Sequence, residues 1–175
     1  MSDVMIKMWN DVAETFQASY DTIGDSWESQ TPCSEWNVRQ LVDHAVAVQA
    51  NLGSSVDVQA SEGDDWPTVR TAMQAALSDP EALAGTTNHP AFGEVPKARI
   101  LGIGISDLLL HSWDLARAVG ADESLPAEAV AASFEGLQQL PPEMMRAEGR
   151  FGEAIPTADG ADLQTQLLGF TGRQP

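Results

Sequence analysis

Asp107 and His111 stand four residues apart in the segment GISDLLLHSWDLARAVG, and His44 closes the earlier run TPCSEWNVRQLVDH. Four residues is just over one helical turn, so on a helix this carboxylate and imidazole project from one face. His44 falls on a different expected helix, at a position that also turns inward. Two imidazoles and one carboxylate converging inside a bundle make a facial site for a divalent metal, with positions left open. The chain has three histidines in all, so the arrangement uses two of them. The same spacing also fits a plain Asp107–His111 hydrogen-bonded pair, or an Asp107 turned to solvent.

The elements that must position these residues read mainly as helices. Val4/Met5, Met8/Trp9, Val12, Phe16 and Ile23 recur at roughly helical spacing until Gly24. After the polar stretch DSWESQTPCSEW, Asn37 and Gln40 form a capping pair, and Val38, Leu41, Ala45, Val48 and Leu52 form a stripe with His44 on its edge. Asp65 and Pro67 open a third helix that carries Val69, Met73 and Leu77 and stops before Pro80. The segment SDPEALAGTTNHPAFGEVP, with two Gly and three Pro, reads as a long connection able to overhang a site. A longer helix follows from about Pro96 to Gly120, its inward line running through Ile100, Gly104, Asp107/Leu108, His111 and Leu115. Gly102 and Gly104 each cost this helix roughly 1 kcal/mol relative to Ala. They either admit a close neighbour or are simply tolerated. Pro126, Val130, Phe134 and Leu137 outline a fifth helix before Pro141-Pro142, and Leu163, Leu167 and Phe170 a short last one ending at Gly172. The expected fold class is all-α: one bundle domain over 1–175, its core at about 3–139, with an irregular C-terminal excursion at 140–175.

Composition narrows the partners. The 175 residues include 43% apolar ones, and no run approaches the length of a membrane span. Nine Lys plus Arg stand against 26 Asp plus Glu, a net charge of −17. Such a surface repels phosphate backbones and anionic lipid, so the expectation is no nucleic acid and no membrane. The single cysteine, Cys33, excludes an internal disulfide framework, and MSDVMIKMWND lacks the pattern of a secretory signal. The expected location is cytoplasmic.

Residues around the triad each carry two readings. Asp114, three after His111, suits the free ring N–H of a metal-bound histidine, or equally a surface pair with Arg117. Trp36 and Trp113 either wall a pocket or belong to the core. His89, in the long connection, is a solvated loop histidine or a further ligand or base. Cys33 before the second helix is a reactive thiolate or a small buried thiol. Arg173 in TGRQP either anchors a carboxylate of a thiol cofactor or substrate, or neutralises the last helix's C-terminus.

Three segments carry a family resemblance. TPCSEWNVRQLVDH, FGEVPKARILGIGISDLLLHSWDLARAVG with its His-x-Trp-Asp-Leu-Ala element, and FGEAIPTADGADLQTQLLGFTGRQP occur in order between about Trp27 and Pro175. Together they resemble the mycothiol-dependent maleylpyruvate isomerase family within the DinB/YfiT-like metal-binding superfamily, in an uncharacterised actinobacterial-type branch. The resemblance implies a DinB-like four-helix bundle with a divalent metal, Zn²⁺ first and Ni or Fe as further candidates, on His44, Asp107 and His111. It implies mycothiol as a cosubstrate, a small electrophile as its partner, homodimerisation, and isomerase or S-transferase chemistry. Asp107 departs from the isomerase's Glu. Its carboxylate reaches about 1.5 Å less far, so either the helix lies further inward or the metal is held more weakly or not at all. A non-catalytic bundle with a degenerate metal site, binding a small molecule or a protein, is the alternative.

Overall fold

The computed structural model describes residues 2–56, 58–61, 63–79, 81–89, 93–141, 144–145 and 151–175. Pro80, Pro90 and Pro142, which mark expected breaks, and 146–150 of the expected C-terminal excursion lie outside these residues.

Helix α1 spans Ser2–Tyr20 and buries Met8, Trp9, Val12, Ala13 and Phe16 along one stripe. Helix α2, Val38–Gly53, begins at a complete capping box, each bond 3.0 Å long. Asn37 accepts from the Gln40 amide while the Gln40 side chain accepts from the Asn37 amide, so two otherwise orphaned donors are satisfied. Helix α3, Trp66–Leu77, starts where Asp65 accepts from the Thr68 amide with Pro67 in the first turn. Helix α4, Lys97–Val119, is the longest, and it ends on Gly120 at φ 70°, the left-handed conformation that glycine adopts without a Cβ penalty. Helix α5 covers Ala127–Gln138 and α6 covers Leu163–Phe170.

The chain is mostly helical, yet the long connection is not only loop. Strands β1 (Thr86–His89) and β2 (Gly93–Pro96) pair antiparallel, with Thr86 opposite Pro96 and His89 opposite Gly93. Gly and Pro dominate the sequence signal there and mark a turn. The flanking four-residue strands are too short for an alternation pattern to outweigh it.

Helix α4 packs against α1 and α2, α3 packs against α2 and α1, and α5 joins α6 to α4 and α1. One connected apolar cluster takes residues from all six helices. Near its centre Leu108, Leu109 and Leu110 are all at most 2% exposed, and burial is continuous from Leu108 to Ala116. A helix apolar on every side belongs inside the protein. Burying each of those leucines contributes about 1.5–3 kcal/mol, enough to hold α4 where its polar residues have no choice of environment. No helix among the described residues is long and apolar enough to cross a membrane.

The α2 stripe is rotated from its expected position. Val48 and Leu52 are half-buried, while Val42, Val46, Gln49 and Ala50 are buried. Gln49 explains the rotation: its Oε1 accepts from Trp9 Nε1 at 3.0 Å, and its Nε2 donates to the Gly104 carbonyl at 3.0 Å. A buried amide is stable only when satisfied, and here it ties α1, α2 and α4 together.

Candidate metal centre

The capped start of α2 and the buried middle of α4 bring His44, Asp107 and His111 together. Asp107 Oδ1 lies 3.4 Å from His44 Nε2 and 3.7 Å from His111 Nε2. The imidazole centroids are 4.9 Å apart, and a donor atom from each of the three residues lies within 4.8 Å of the others. His44 and Asp107 keep 32% and 24% of their side-chain surface, so the cluster opens to solvent on one side while His111 is nearly covered.

Gly104 addresses the shorter reach of Asp relative to Glu. A Cβ at Gly104 would stand 3.3 Å from Leu52 Cδ1 and 3.5 Å from the Gln49 amide, so α4 lies tight on α2 one turn before Asp107. Gly102 meets only the tip of Met5, at 3.4 Å. Of the two glycines, Gly104 is the one that serves the close approach.

Behind His111 stands Asp114, which is fully buried. Its Oδ2 lies 3.0 Å from His111 Nδ1, and Arg173 grips the same carboxylate through Nε to Oδ1 at 3.0 Å and Nη2 to Oδ2 at 2.8 Å. Burial by itself would raise the Asp114 carboxyl. The Arg173 charge and the hydrogen bond from His111 outweigh it and hold the group at about 2. An ionised Asp114 accepts only, so His111 Nδ1 carries the proton. With Nδ1 engaged by Asp114, Nε2 is the ring nitrogen that faces the Asp107 carboxylate, 3.7 Å from Oδ1. A proton on Nε2 or a cation between the two groups would satisfy both.

Two further observations fit a cation. Asp107 Oδ2 is buried and accepts no hydrogen bond among the described residues, which costs free energy unless a charge compensates. Tetrahedral zinc with ligands at about 2.0–2.2 Å separates neighbouring donors by about 3.4 Å, close to the separations of 3.4 and 3.7 Å found here. Two of the three donor separations thus suit a divalent ion, and the third is within 4.8 Å. A second cluster, Cys33–His111–Asp114, also lies within coordinating distance. The Arg173 guanidinium on Asp114 Oδ2 opposes a second cation at that point.

Trp36 covers the triad, its ring centroid 4.5 Å from His44 and 5.6 Å from His111. The loop that carries it is held by an unheralded residue. Gln30 Nε2 lies 2.9–3.2 Å from the carbonyls of Thr31, Cys33, Ser34 and Trp36. Thr31 Oγ1 adds a bond of 2.8 Å to the Trp36 carbonyl. No periodicity or motif marks Gln30, because its role exists only once the loop has closed around it.

Other expected roles fall differently. Trp113 lies elsewhere on α4, since two residues turn a helix by more than half a circle; the Arg117 guanidinium stacks on it at 4.2 Å. Arg117 itself forks onto Glu123 at 2.9 and 2.6 Å, so the expected Asp114–Arg117 pair is replaced by Asp114–Arg173. Arg173 forks onto Asp114 and also reaches the end of α6, its Nη1 donating to the carbonyl of the C-cap residue Thr171 at 3.4 Å, so its guanidinium is engaged within the protein. His89 sits on β1 and belongs to neither metal-competent cluster. Cys33 Sγ lies 3.4 Å from Asp114 Oδ2; burial first, then the Asp114 charge, push its thiol up to about 12. This environment disfavours the thiolate.

No family model matches the chain, and no solved structure matches it. It is similar to two uncharacterized Mycobacterium tuberculosis proteins, MT0763 of strain CDC 1551 / Oshkosh and Rv0738 of strain ATCC 25618 / H37Rv. Each is 27% identical over 157 residues, covering 85% of this chain and 86% of the relative. The likeness runs along nearly the whole length of all three chains and brings no activity with it.

Proposed function

We propose that His44, Asp107 and His111 hold a divalent metal, Zn²⁺ first, and that the protein is a metal-dependent enzyme joining a small-molecule thiol of the mycothiol type to a small electrophile. The observation that carries this reading is the Asp107 carboxylate, with Oδ1 near two imidazole Nε2 atoms and Oδ2 buried without a donor among the described residues. An ion bound there supplies Lewis-acid chemistry, lowering the pKa of a coordinated thiol or water. The protein's own residues do the rest. Asp114 and Arg173 hold His111 in the Nδ1–H tautomer, and Trp36 closes one face against water. The solvent-open side at His44 and Asp107 admits the reactants. Isomerisation by thiol addition to an unsaturated acid and thiol transfer to an electrophile are the two reaction types that suit such a centre. The mutual packing of α1, α2, α3 and α4 supports the DinB-like bundle as the architecture.

The second reading is a non-catalytic bundle. It is favoured by the 3.4 Å His44–Asp107 contact, which a proton on His44 Nε2 would also explain. Elemental analysis of the purified protein, beside His44→Ala and His111→Ala, separates the two. The enzyme reading expects about one equivalent of divalent metal in the native protein and none in either variant. Absence of stoichiometric metal under every loading condition refutes it. Mycothiol-dependent conversion of maleylpyruvate without net loss of thiol, or loss of mycothiol in the presence of another electrophile, by the metal-loaded protein then tests the chemistry.

A further inference from the structure

We propose that Cys33 is a positioning residue: its S–H donates to Asp114 Oδ2 and so fixes the carboxylate that orients His111. The proposal deepens the metal-centre reading and rests on it for its effect on metal affinity.

Three donors converge on Asp114 Oδ2, from His111 Nδ1 at 3.0 Å, Arg173 Nη2 at 2.8 Å and Cys33 Sγ at 3.4 Å. Arg173 Nε takes Oδ1. The carboxylate is thereby held by three separate parts of the chain, the loop before α2, helix α4 and the C-terminal tail. Rotation of Asp114 would break contacts with all three, so its Oδ2 stays aimed at His111. The position of Cys33 is itself over-determined. Its amide donates to Thr31 Oγ1 at 3.2 Å, and its carbonyl accepts from Trp36 N at 2.9 Å and from Gln30 Nε2 at 3.1 Å. A loop built this tightly delivers sulfur to one oxygen, and the thiol keeps its proton to give. Sulfur also matters for reach, because the C–S bond is longer than C–O and a serine hydroxyl at the same backbone position would stop short.

The test uses the full-length protein with Zn²⁺ as the metal probe. The single cysteine allows its S–H stretch to be read by infrared spectroscopy without metal. A bond to an ionised carboxylate lowers that frequency, and Asp114→Asn should move it back toward the free-thiol value. Nitrogen-15 spectra of metal-free protein should show His111 as a single Nδ1–H tautomer, and a mixture in Cys33→Ala. Zinc affinity, by competition with a chromophoric chelator, should fall about tenfold in Cys33→Ala. Cys33→Ser, a short donor, should fall between the two; circular dichroism checks that each variant is folded. The proposal is overturned if the S–H stretch ignores Asp114→Asn. It is equally overturned if Cys33→Ala leaves both the His111 signals and the zinc affinity of a zinc-binding wild type unchanged. Should wild type bind no zinc, the metal reading alone fails, and the infrared and His111 signals still decide the role of Cys33.

Discussion

Replacing Arg173 with methionine strips the counter-charge from a fully buried carboxylate at little change in side-chain length. Asp114 has no exposed surface, Arg173 keeps 11% of its own, and the two share bonds of 3.0 and 2.8 Å. Removing one member of a buried pair typically costs about 3–5 kcal/mol, because the remaining charge stays desolvated. Exposed ion pairs cost under about 1 kcal/mol, so the two environments give separable answers. For a chain of this size each kcal/mol lowers Tm by about 2–4 °C, and Arg173→Met should lower it by about 6–20 °C. Asp114→Asn in the same background removes the stranded charge and keeps an acceptor for His111. That double variant should recover all but about 2 kcal/mol, a coupling read from a double-mutant cycle. Urea denaturation at neutral pH supplies the free energies. A cost below about 1 kcal/mol for Arg173→Met, at unchanged m, would refute the buried pair and with it the docking of the C-terminal tail.

The same carboxylate predicts an acid limit. Its folded pKa is held down to about 2 from an ordinary 3.8, so its contribution is fully present above about pH 4 and disappears as pH falls through about 2. The difference is about 2 kcal/mol, and stability measured across that window should lose it, less steeply in Arg173→Met. Gln49→Leu should cost about 1–3 kcal/mol by leaving Trp9 Nε1 without its acceptor and removing the second bond to the Gly104 carbonyl; a neutral result in chemical denaturation would remove the α1–α2–α4 tie. Cys33, raised from 9.0 to about 12, should react with iodoacetamide at pH 8 roughly a thousandfold more slowly than a free thiol. Labelling at the free-thiol rate in the folded protein would contradict its burial.

Local rules sufficed for much of the architecture. The Asn37–Gln40 capping box, the Asp65–Pro67 start, Gly120 at the end of α4 and the apolar lines of α1 and α4 are near-neighbour effects, set within a turn or two of chain. Such effects are written in the order of residues, which is why six helices were legible there. The Asp107–His111 spacing was legible for the same reason, whereas the meeting of His44 with Asp107, 63 residues on, depends on how α2 packs against α4. The choice between partners was not legible either. Whether Asp114 meets Arg117, three residues on, or Arg173, 59 residues on, depends on where the C-terminal tail docks, and spacing favours the nearer cation. Gln49, Gln30 and the S–H of Cys33 likewise acquire their roles only from groups distant in sequence or from a loop closed around them. Tertiary packing removes water from Asp114 and leaves Asp107 Oδ2 without a donor among the described residues. The sequence alone determined which residue types could meet. The fold decided which of them are dry, and it is desolvation that turns a spacing of acids and histidines into a cluster able to hold a cation.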